Sequence, residues 1–306
     1  MRLPFIITGI MLLGHASAAS LSQVLGNHGS LSMLHNLLKE LDLLDRFEAV
    51  EGSTFLAMTN DALIYLANWG LNMSTIDPSL SKSILKYHFL EGVYPSTDPS
   101  LKTDTQIVHS VLRPPILTNV TAGPVVKLRM GKDGIFCAES GIQKVLHVND
   151  SDINHDNGVL HTIDSNLVLP HNLSETTKLG NLQEFWNIIE KSGTKELLEP
   201  LQDVTIFLPN NNAVKQRLPL LDALTAEQLS ILVANHAIMN HVLYHTTITD
   251  EEMELETLGG MKVVVKHDSK GDIFVNAAKV VTKDVLIFGG VAHIVDDVLV
   301  PSTGRL

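Results

Sequence analysis

Two blocks of this 306-residue sequence occur twice in the same order, and this duplication limits the possible folds more than any other feature. The segment that begins at Thr54 aligns within one residue with the segment that begins at Thr205, and residues 157–164 align with 289–296. A repeat of this kind indicates that one structural unit has been copied and folds twice. We therefore predict two domains of one fold.

Each copy also has a histidine at the end of a stretch with helical periodicity, His88 in the first and His236 in the second. The segment after this histidine is longer in the first copy and contains Pro and Gly, as surface loops do. The copies are separated by a polar stretch that follows Pro170. The predicted organisation is a signal peptide at 1–19, a first domain at 20–170, a second domain at 171–303 and a tail at 304–306.

Composition excludes several classes of protein. The formal net charge is −12, from 22 Lys and Arg against 34 Asp and Glu. This charge would repel a phosphate backbone, which argues against nucleic acid as a partner. The single cysteine, Cys137, can form neither an internal disulfide nor a cysteine-based metal cluster. The cores must therefore hold together without covalent cross-links.

The first 19 residues have the composition of a secretory signal. Arg2 precedes an apolar run, and small residues at 16–19 form a cleavage position. The apolar run is shorter than the ~20 residues that a membrane anchor needs. We expect a secreted or cell-surface protein whose mature chain has no transmembrane segment. Because a signal gives entry and not destination, a secretory-lumen or vacuolar location remains an alternative.

Four Asn-x-Ser/Thr tripeptides predict N-linked glycans if the host is a eukaryote. The acceptors are Asn72, Asn119, Asn149 and Asn172.

Within each copy the hydrophobic period changes from helical to strand-like. Apolar residues from Leu34 to Phe47 repeat at three and four and predict one long helix, and Asn60 and Asn211 are candidate caps for the helix that follows the first strand. Later segments rich in β-branched residues predict an antiparallel sheet. Helices followed by a sheet give an α+β fold class.

At these blocks the sequence resembles fasciclin-like (FAS1) domains. The resemblance rests on the strand-to-helix block at 205–213, on the pair Tyr87 and His88, and on the block 157–164 with the following Leu-Val-Leu-Pro. It implies a tandem of two domains, each a wedge or sandwich of two β-sheets with helices packed at one end. It also implies an extracellular adhesion or matrix module with no catalytic role and no cofactor.

The resemblance suggests partner-binding residues. The family's Tyr-His motif, implicated in adhesion through integrins in animal members, corresponds to Tyr87 and His88, while Asn235 replaces the tyrosine in the second copy. A second family element, an Asp-Ile-like pair, corresponds to Asp152 and Ile153 in the first copy and to Asp284 and Val285 in the second.

The residues themselves indicate a structural role for most of the shared motif. Because side chains alternate along a strand, His161 and His293 lie on the same face as apolar neighbours and are predicted to face the core. We expect His88, His161, His236 and His293 to hold the fold through their ring nitrogens. The residues assigned to this structural motif are Thr54, Asn60, His161, Asp164, Thr205, Asn211, His236, His293 and Asp296.

Catalytic and metal motifs are weak. The run 150–158 has alternate oxygen ligands but lacks the glutamate of a calcium loop. His241 and His245 are four residues apart without the adjacent glutamate of a metalloprotease. Cys137 has no base motif nearby. We predict no metal and no catalytic residue.

The function expected from the sequence is non-enzymatic adhesion or matrix organisation through binding of a protein or a polysaccharide. The alternative from another class is a secretory-pathway hydrolase or carbohydrate-active enzyme. That alternative requires a carboxylate pair or a Ser-His-Asp set that converges in a cleft.

Overall fold

The computed structural model describes residues 19–300, which form two domains. The predicted signal peptide, except for Ala19, and the tail at 304–306 lie outside the described residues. The helices of the first domain are α1 (Leu21–Asn27), α2 (Ser32–Glu40), α3 (Leu44–Glu48), α4 (Asn60–Asn68), α5 (Pro78–Tyr87) and α6 (Ser100–Thr103). Its strands are β1 (Ser53–Met58), β2 (Phe89–Glu91), β3 (Gln106–His109), β4 (Val125–Met130), β5 (Phe136–Glu139), β6 (Val145–His147), β7 (Ile153–His155) and β8 (Gly158–Ile163).

The second domain repeats this order of elements. Its helices are α7 (Leu173–Leu179), α8 (Gln183–Ser192), α9 (Lys195–Leu198), α10 (Asn211–Leu221) and α11 (Ala226–Ala234). Its strands are β9 (Val204–Pro209), β10 (Ala237–Ile238), β11 (Met253–Glu256), β12 (Lys262–His267), β13 (Ile273–Val275), β14 (Ala278–Ile287) and β15 (Gly290–Val295). The fold class predicted from the sequence, α+β with two tandem domains, is confirmed.

The sheets have matching topologies with one difference. The first domain has two four-stranded sheets, in the orders β2-β1-β8-β7 and β3-β4-β5-β6. The second domain has one seven-stranded sheet in the order β10-β9-β15-β14-β13-β12-β11. The sheet is continuous because β14 is ten residues long and carries register shifts around Thr282, which bend a strand without ending it.

A parallel strand pair lies at the centre of each domain. Strand β1 pairs with β8, and β9 pairs with β15. The close approach at the start of each pair requires glycine: a Cβ on Gly158 would lie 2.1 Å from the carbonyl oxygen of Ser53, and one on Gly290 would lie 1.9 Å from that of Val204. The glycines of the late repeated block are therefore explained by packing.

Some local predictions were wrong. The predicted long helix is two helices, α2 and α3, because Asp42 at the turn between them adopts a positive φ of 52°. The helices α4 and α10 are capped by Thr59 and Asn210, whose side chains accept from the amides of Ala62 and Ala213. Each true cap lies one residue before the predicted one.

Candidate functional site

His88 and His236 hold the same position in the two domains. In each, Nδ1 donates to a carbonyl one helical turn earlier, that of Ile84 or Leu232, at 2.8 Å. Nε2 accepts from the backbone amide of Leu167 or Leu299 at 2.9 Å. These bonds fix the tautomer, and burial lowers the pKa of both imidazoles to about 4. Each neutral ring thus ties the end of a helix to the end of its domain.

His161 and His293 use the opposite tautomer. Nε2 donates to the carbonyl of Tyr94 at 3.0 Å or of Leu243 at 2.7 Å, and Nδ1 accepts from the amide of Asp152 at 3.1 Å or of Asp284 at 3.4 Å. Burial lowers the pKa of both rings. Both face the interior, as their strand position indicates.

The remaining motif residues also make matched contacts. Thr54 and Thr205 each donate to a loop carbonyl, at 2.8 and 2.7 Å, and each accepts a loop amide, at 2.9 and 2.8 Å. Asn60 and Asn211, although not caps, accept from the amides of Met33 and Glu184 and so tie neighbouring helices together. At the strand ends, Asp164 and Asp296 are both exposed, and Asp296 accepts from the amide of Lys279.

Tyr87 and His88 are both fully buried, so neither side chain is available to a partner. The Tyr87 hydroxyl donates to the carbonyl of Val125 at 3.0 Å, and burial raises the pKa of this phenol. The counterpart Asn235 is also buried and accepts from the hydroxyl of Thr257 at 3.0 Å. The predicted partner contact through Tyr87 and His88 therefore does not fit the structure, in which both side chains stabilise the interior.

The two predicted Asp-Ile-like pairs differ in their surroundings. Asp152 is half-buried and accepts from the amide and hydroxyl of Ser96, and Ile153 is also half-buried. Asp284 and Val285 are buried, which removes them from the set of surface contacts. Asp284 accepts from the amide of His245 at 2.8 Å and from its ring Nδ1. Burial is the largest influence on Asp284 and opposes its ionisation, but the hydrogen bonds from His245 and the nearby rings of His293 and His245 together lower the pKa of Asp284.

The surface over Asp284 is covered by the first domain. Asp104 lies 3.4 Å from Nε2 of His245, on the opposite side of the ring from Asp284. Lys127 donates to the carbonyl of Asp284 at 3.0 Å and forms a buried ion pair with Glu139. Charged groups of both domains therefore meet around Asp284, and all of them except the exposed Asp104 are largely buried.

An apolar cluster adjoins these charges at the domain interface. Val125 of the first domain packs with Tyr244, Leu286 and Val291 of the second, and Ile107 and Val242 lie against them. The Tyr244 ring also contacts His109 edge-on, with 6.3 Å between ring centroids. An apolar centre beside buried ion pairs makes this interface well packed and specific.

The four predicted glycan acceptors have different environments. Asn72, Asn149 and Asn172 are exposed. Asn172 caps α7 through its carbonyl oxygen, which accepts from the amide of Glu175 at 2.9 Å. Asn119 is half-buried and contacts the second domain.

The positions singled out for metal or catalytic chemistry do not come together. Asp152 of the calcium-like run binds Ser96, and both ring nitrogens of His245 face carboxylates. Among residues 19–300, no group of three or more His, Cys, Asp or Glu has the geometry to hold a metal ion. Cys137 is buried, and burial raises the pKa of its thiol.

One cavity has several carboxylates. It has a volume of about 320 Å³ and is lined by Asp42, Asp45 and Glu48 together with Lys39 and Ser22. Glu48 accepts the amide of Ser22 at 2.8 Å, and Asp42 and Asp45 are exposed. A hydrolase needs acid groups sheltered from water, which this surface does not provide.

An exposed aromatic surface on α4 was missed by the sequence analysis. The helix buries Ala62, Leu63 and Leu66, while its outer face carries Ile64, Tyr65 and, at its end, Trp69. We call these three residues the α4 face. Trp69 is 75% exposed and Tyr65 54%, and their ring centroids lie 6.0 Å apart. Apolar residues outside the helix's inward stripe were the available signal.

With this geometry, the chain can be compared with known proteins. The fasciclin domain family model matches residues 29–170 and 180–301, so the chain belongs to the fasciclin domain family. It is 43% identical over 306 residues to a fasciclin-like arabinogalactan protein of Cercospora beticola, covering 98% of this chain and 81% of the relative. It is 38% identical over 291 residues to another from Phaeosphaeria nodorum, covering 95% and 91%.

The chain is also similar to a human protein and to an insect protein. Human periostin is 30% identical over 232 residues, which cover 73% of this chain and 24% of periostin. A solved domain pair from the insect cell adhesion molecule Fasciclin I covers 91% of this chain and 99% of its own, with 17% identity and a TM-score of 0.42. Between residues 19 and 300, no helix has the length and apolar character to cross a bilayer.

Proposed function

We propose that this protein is a non-enzymatic adhesion or matrix-organising module at the cell surface or outside the cell. The proposal is supported by membership of the fasciclin family, by relatives named as arabinogalactan proteins, and by similarity to periostin. The relatives give no support to a vacuolar location. Two domains held in one fixed arrangement present a single surface to a partner.

The observation that carries the proposal is the α4 face. Large apolar side chains in contact with one another at the surface mark interaction sites more often than isolated ones do. Tryptophan and tyrosine supply much of the binding energy at protein interfaces. The corresponding position to Trp69 on α10 is Leu220, which is 40% exposed. The aromatic surface is thus a property of the first domain.

We infer that the partner at the α4 face is a protein. Ile64 and Met33 border a groove of about 160 Å³ beside this face, and both are exposed. Aliphatic residues beside an aromatic pair favour a partner with apolar side chains over a purely polar polysaccharide chain. A polysaccharide partner is the other outcome of the test below.

The test compares Trp69→Ala with Leu220→Ala, the matched change in the second domain. Purified proteins are added to cells, cell-wall polysaccharides and extracellular matrix proteins, and bound protein is quantified. Loss of one hot-spot aromatic costs about 2 kcal/mol, or about 30-fold in affinity. We expect that loss for Trp69→Ala with the protein fraction only, and none for Leu220→Ala.

Retained binding by a folded Trp69→Ala protein would refute the assignment of the α4 face. Loss of binding to polysaccharide alone would replace the protein partner by a carbohydrate. Hydrolysis of any polysaccharide during these incubations, measured as newly formed reducing ends, would instead support the hydrolase alternative.

A further inference from the structure

The predicted glycosylation tripeptide at Asn119 is bound to the second domain through its first and third residues, Asn119 and Thr121. The backbone amide of Asn119 donates to the carbonyl of Phe288 at 2.8 Å. Its side-chain Nδ2 donates to the carbonyls of Pro200 at 2.9 Å and Leu201 at 3.2 Å. Both hydrogens of the amide that would carry a glycan are therefore used between the domains.

The hydroxyl residue of the same tripeptide is also engaged. Thr121 donates its amide to Asp203 at 2.8 Å and its hydroxyl to the same carboxylate at 2.5 Å. Gln202 donates to the Thr121 hydroxyl at 2.9 Å. A glycosyltransferase must recognise this threonine together with the asparagine, and in the docked protein both side chains are held by hydrogen bonds to the second domain.

The chemistry of N-glycosylation is incompatible with these contacts. Transfer from a lipid-linked oligosaccharyl diphosphate forms a bond between Nδ2 and the anomeric carbon of the sugar, the amide loses one proton, and the lipid diphosphate leaves. The new carbon would lie about 1.5 Å from Nδ2. The two carbonyl oxygens now occupy that side of Nδ2 at 2.9 and 3.2 Å.

The other three acceptors lack this conflict. Asn72 and Asn172 use their carbonyl oxygens locally, accepting from the amides of Ser74 and Glu175. Asn149 is exposed. Among the described residues, no protein atom accepts a hydrogen bond from Nδ2 of any of the three.

We propose that a glycan on Asn119 and docking of the two domains exclude each other. In the docked protein Asn119 is a contact between domains, and in a chain glycosylated there the domains are held apart. Both states can form during synthesis, because Asn119 enters the secretory lumen before residues 200–203 have been synthesised. The inference rests on the proposed extracellular location only for the presence of the glycosylation machinery.

The first experiment uses secreted protein from a eukaryotic host in which the other tripeptides are removed by Ser74→Ala, Ser151→Ala and Ser174→Ala. These changes keep each asparagine, and a lectin column then separates chains with and without a glycan on Asn119. A compact chain of this length has a radius of gyration of about 19 Å. We expect small-angle scattering to show this value without the glycan and an increase of at least about 2 Å with it.

Wild-type chains that carry glycans on Asn72 and Asn149 but none on Asn119 control for the size of the sugar and should stay close to the compact value. A glycan on Asn119 in chains of unchanged radius would overturn the proposal.

If the host leaves Asn119 unmodified in every chain, bacterial protein provides the same test without glycosylation. In Asn119→Cys with Cys137→Ala, the single thiol is labelled with a sugar-sized maleimide, and Asn149→Cys with Cys137→Ala is the exposed control. We expect labelling at position 119 to increase the radius and labelling at 149 to leave it unchanged. Equal radii for labelled and unlabelled protein at 119 would refute the exclusion whether or not the adhesion proposal holds.

Discussion

The two domains share one set of hydrogen-bonded histidines but differ at the residue that faces the shared aspartate. In the first domain Ser96 binds Asp152, which is half-buried. In the second, His245 binds Asp284, and this pair is buried against the first domain. The difference teaches that the same hydrogen-bonded aspartate can lie at a free surface in one domain and at the contact between the domains in the other.

A second difference concerns the Tyr-His motif. Tyr87 donates to a carbonyl of β4, whereas Asn235 accepts from a threonine hydroxyl. Both are buried, so the change alters internal hydrogen bonding and leaves the surface unchanged. The histidines of the motif, His88 and His236, make the same bonds in both domains.

The largest expected effect tests whether His88 and His236 are equivalent. Their pKa is about 4 in the folded protein and about 6.5 when unfolded, so the unfolded chain binds more protons between these values. The contribution of each histidine to the free energy of unfolding is fully present above pH 6.5. It falls by about 3 kcal/mol as the pH decreases toward 4. Urea unfolding at several pH values measures this loss.

His88→Gln and His236→Gln provide the comparison. Each should lower stability at pH 7 and reduce the loss between pH 6.5 and 4 by the same amount. A reduced loss in only one variant would show that the two histidines are not equivalent.

The second prediction compares the two aspartates through Asp284→Asn and Asp152→Asn. Asparagine tolerates the positive φ of both positions, 54° and 63°. Loss of the buried carboxylate beside His245 should cost about 3 kcal/mol, whereas loss of the Ser96 contact should cost about 1 kcal/mol. Equal costs in urea unfolding at pH 7 would contradict the difference in burial.

The third prediction exchanges the side chains at two corresponding positions, one in the domain interface and one on the surface of the first domain. Leu286 lies in the apolar cluster of the interface, and its counterpart in the first domain is the exposed Asn154. Leu286→Asn buries an amide in that cluster and should weaken docking by about 2 kcal/mol. We expect calorimetry to resolve two unfolding transitions for this variant and a single one for the wild type.

Asn154→Leu is the matched control and should leave the single transition in place. A single transition in both variants would indicate that docking does not depend on the apolar cluster.

The smallest expected effect concerns the tyrosine of the motif. Tyr87→Phe removes the hydrogen bond to Val125 and should cost about 1 kcal/mol, while Tyr65→Phe on the exposed α4 face should cost close to nothing. Thermal unfolding measures both. Unchanged stability of Tyr87→Phe together with reduced partner binding would restore the adhesive role that burial argues against.

Much of the fold was predictable because it depends on local and repeated patterns. Residues 157–164 and 289–296 identified the strands β8 and β15, although not their parallel pairing with β1 and β9, and alternation along them placed His161 and His293 in the interior. The predicted helix caps were one residue too late because Thr59 and Asn60 can both accept hydrogen bonds from backbone amides. In the folded protein Thr59 accepts from the amide of Ala62, while Asn60 accepts from the amide of Met33 in the neighbouring helix α2.

The candidate site was less predictable. Motif residues such as Tyr87 looked available because polarity alone does not show burial. The α4 face was overlooked although Ile64 and Tyr65 lie outside the inward apolar stripe of the helix. Asn119 matched a glycosylation tripeptide, but its hydrogen bonds are to residues about 80 positions later in the chain.

The sequence by itself determined that one fold occurs twice and that four histidines lie inside it, because repetition and strand alternation are local properties of the chain. Only the tertiary structure decided which copy of each motif is covered, since burial and hydrogen bonding at Asn119, His245 and Asp284 depend on how the domains dock. Contacts between residues far apart in the chain leave no spacing pattern from which they can be inferred.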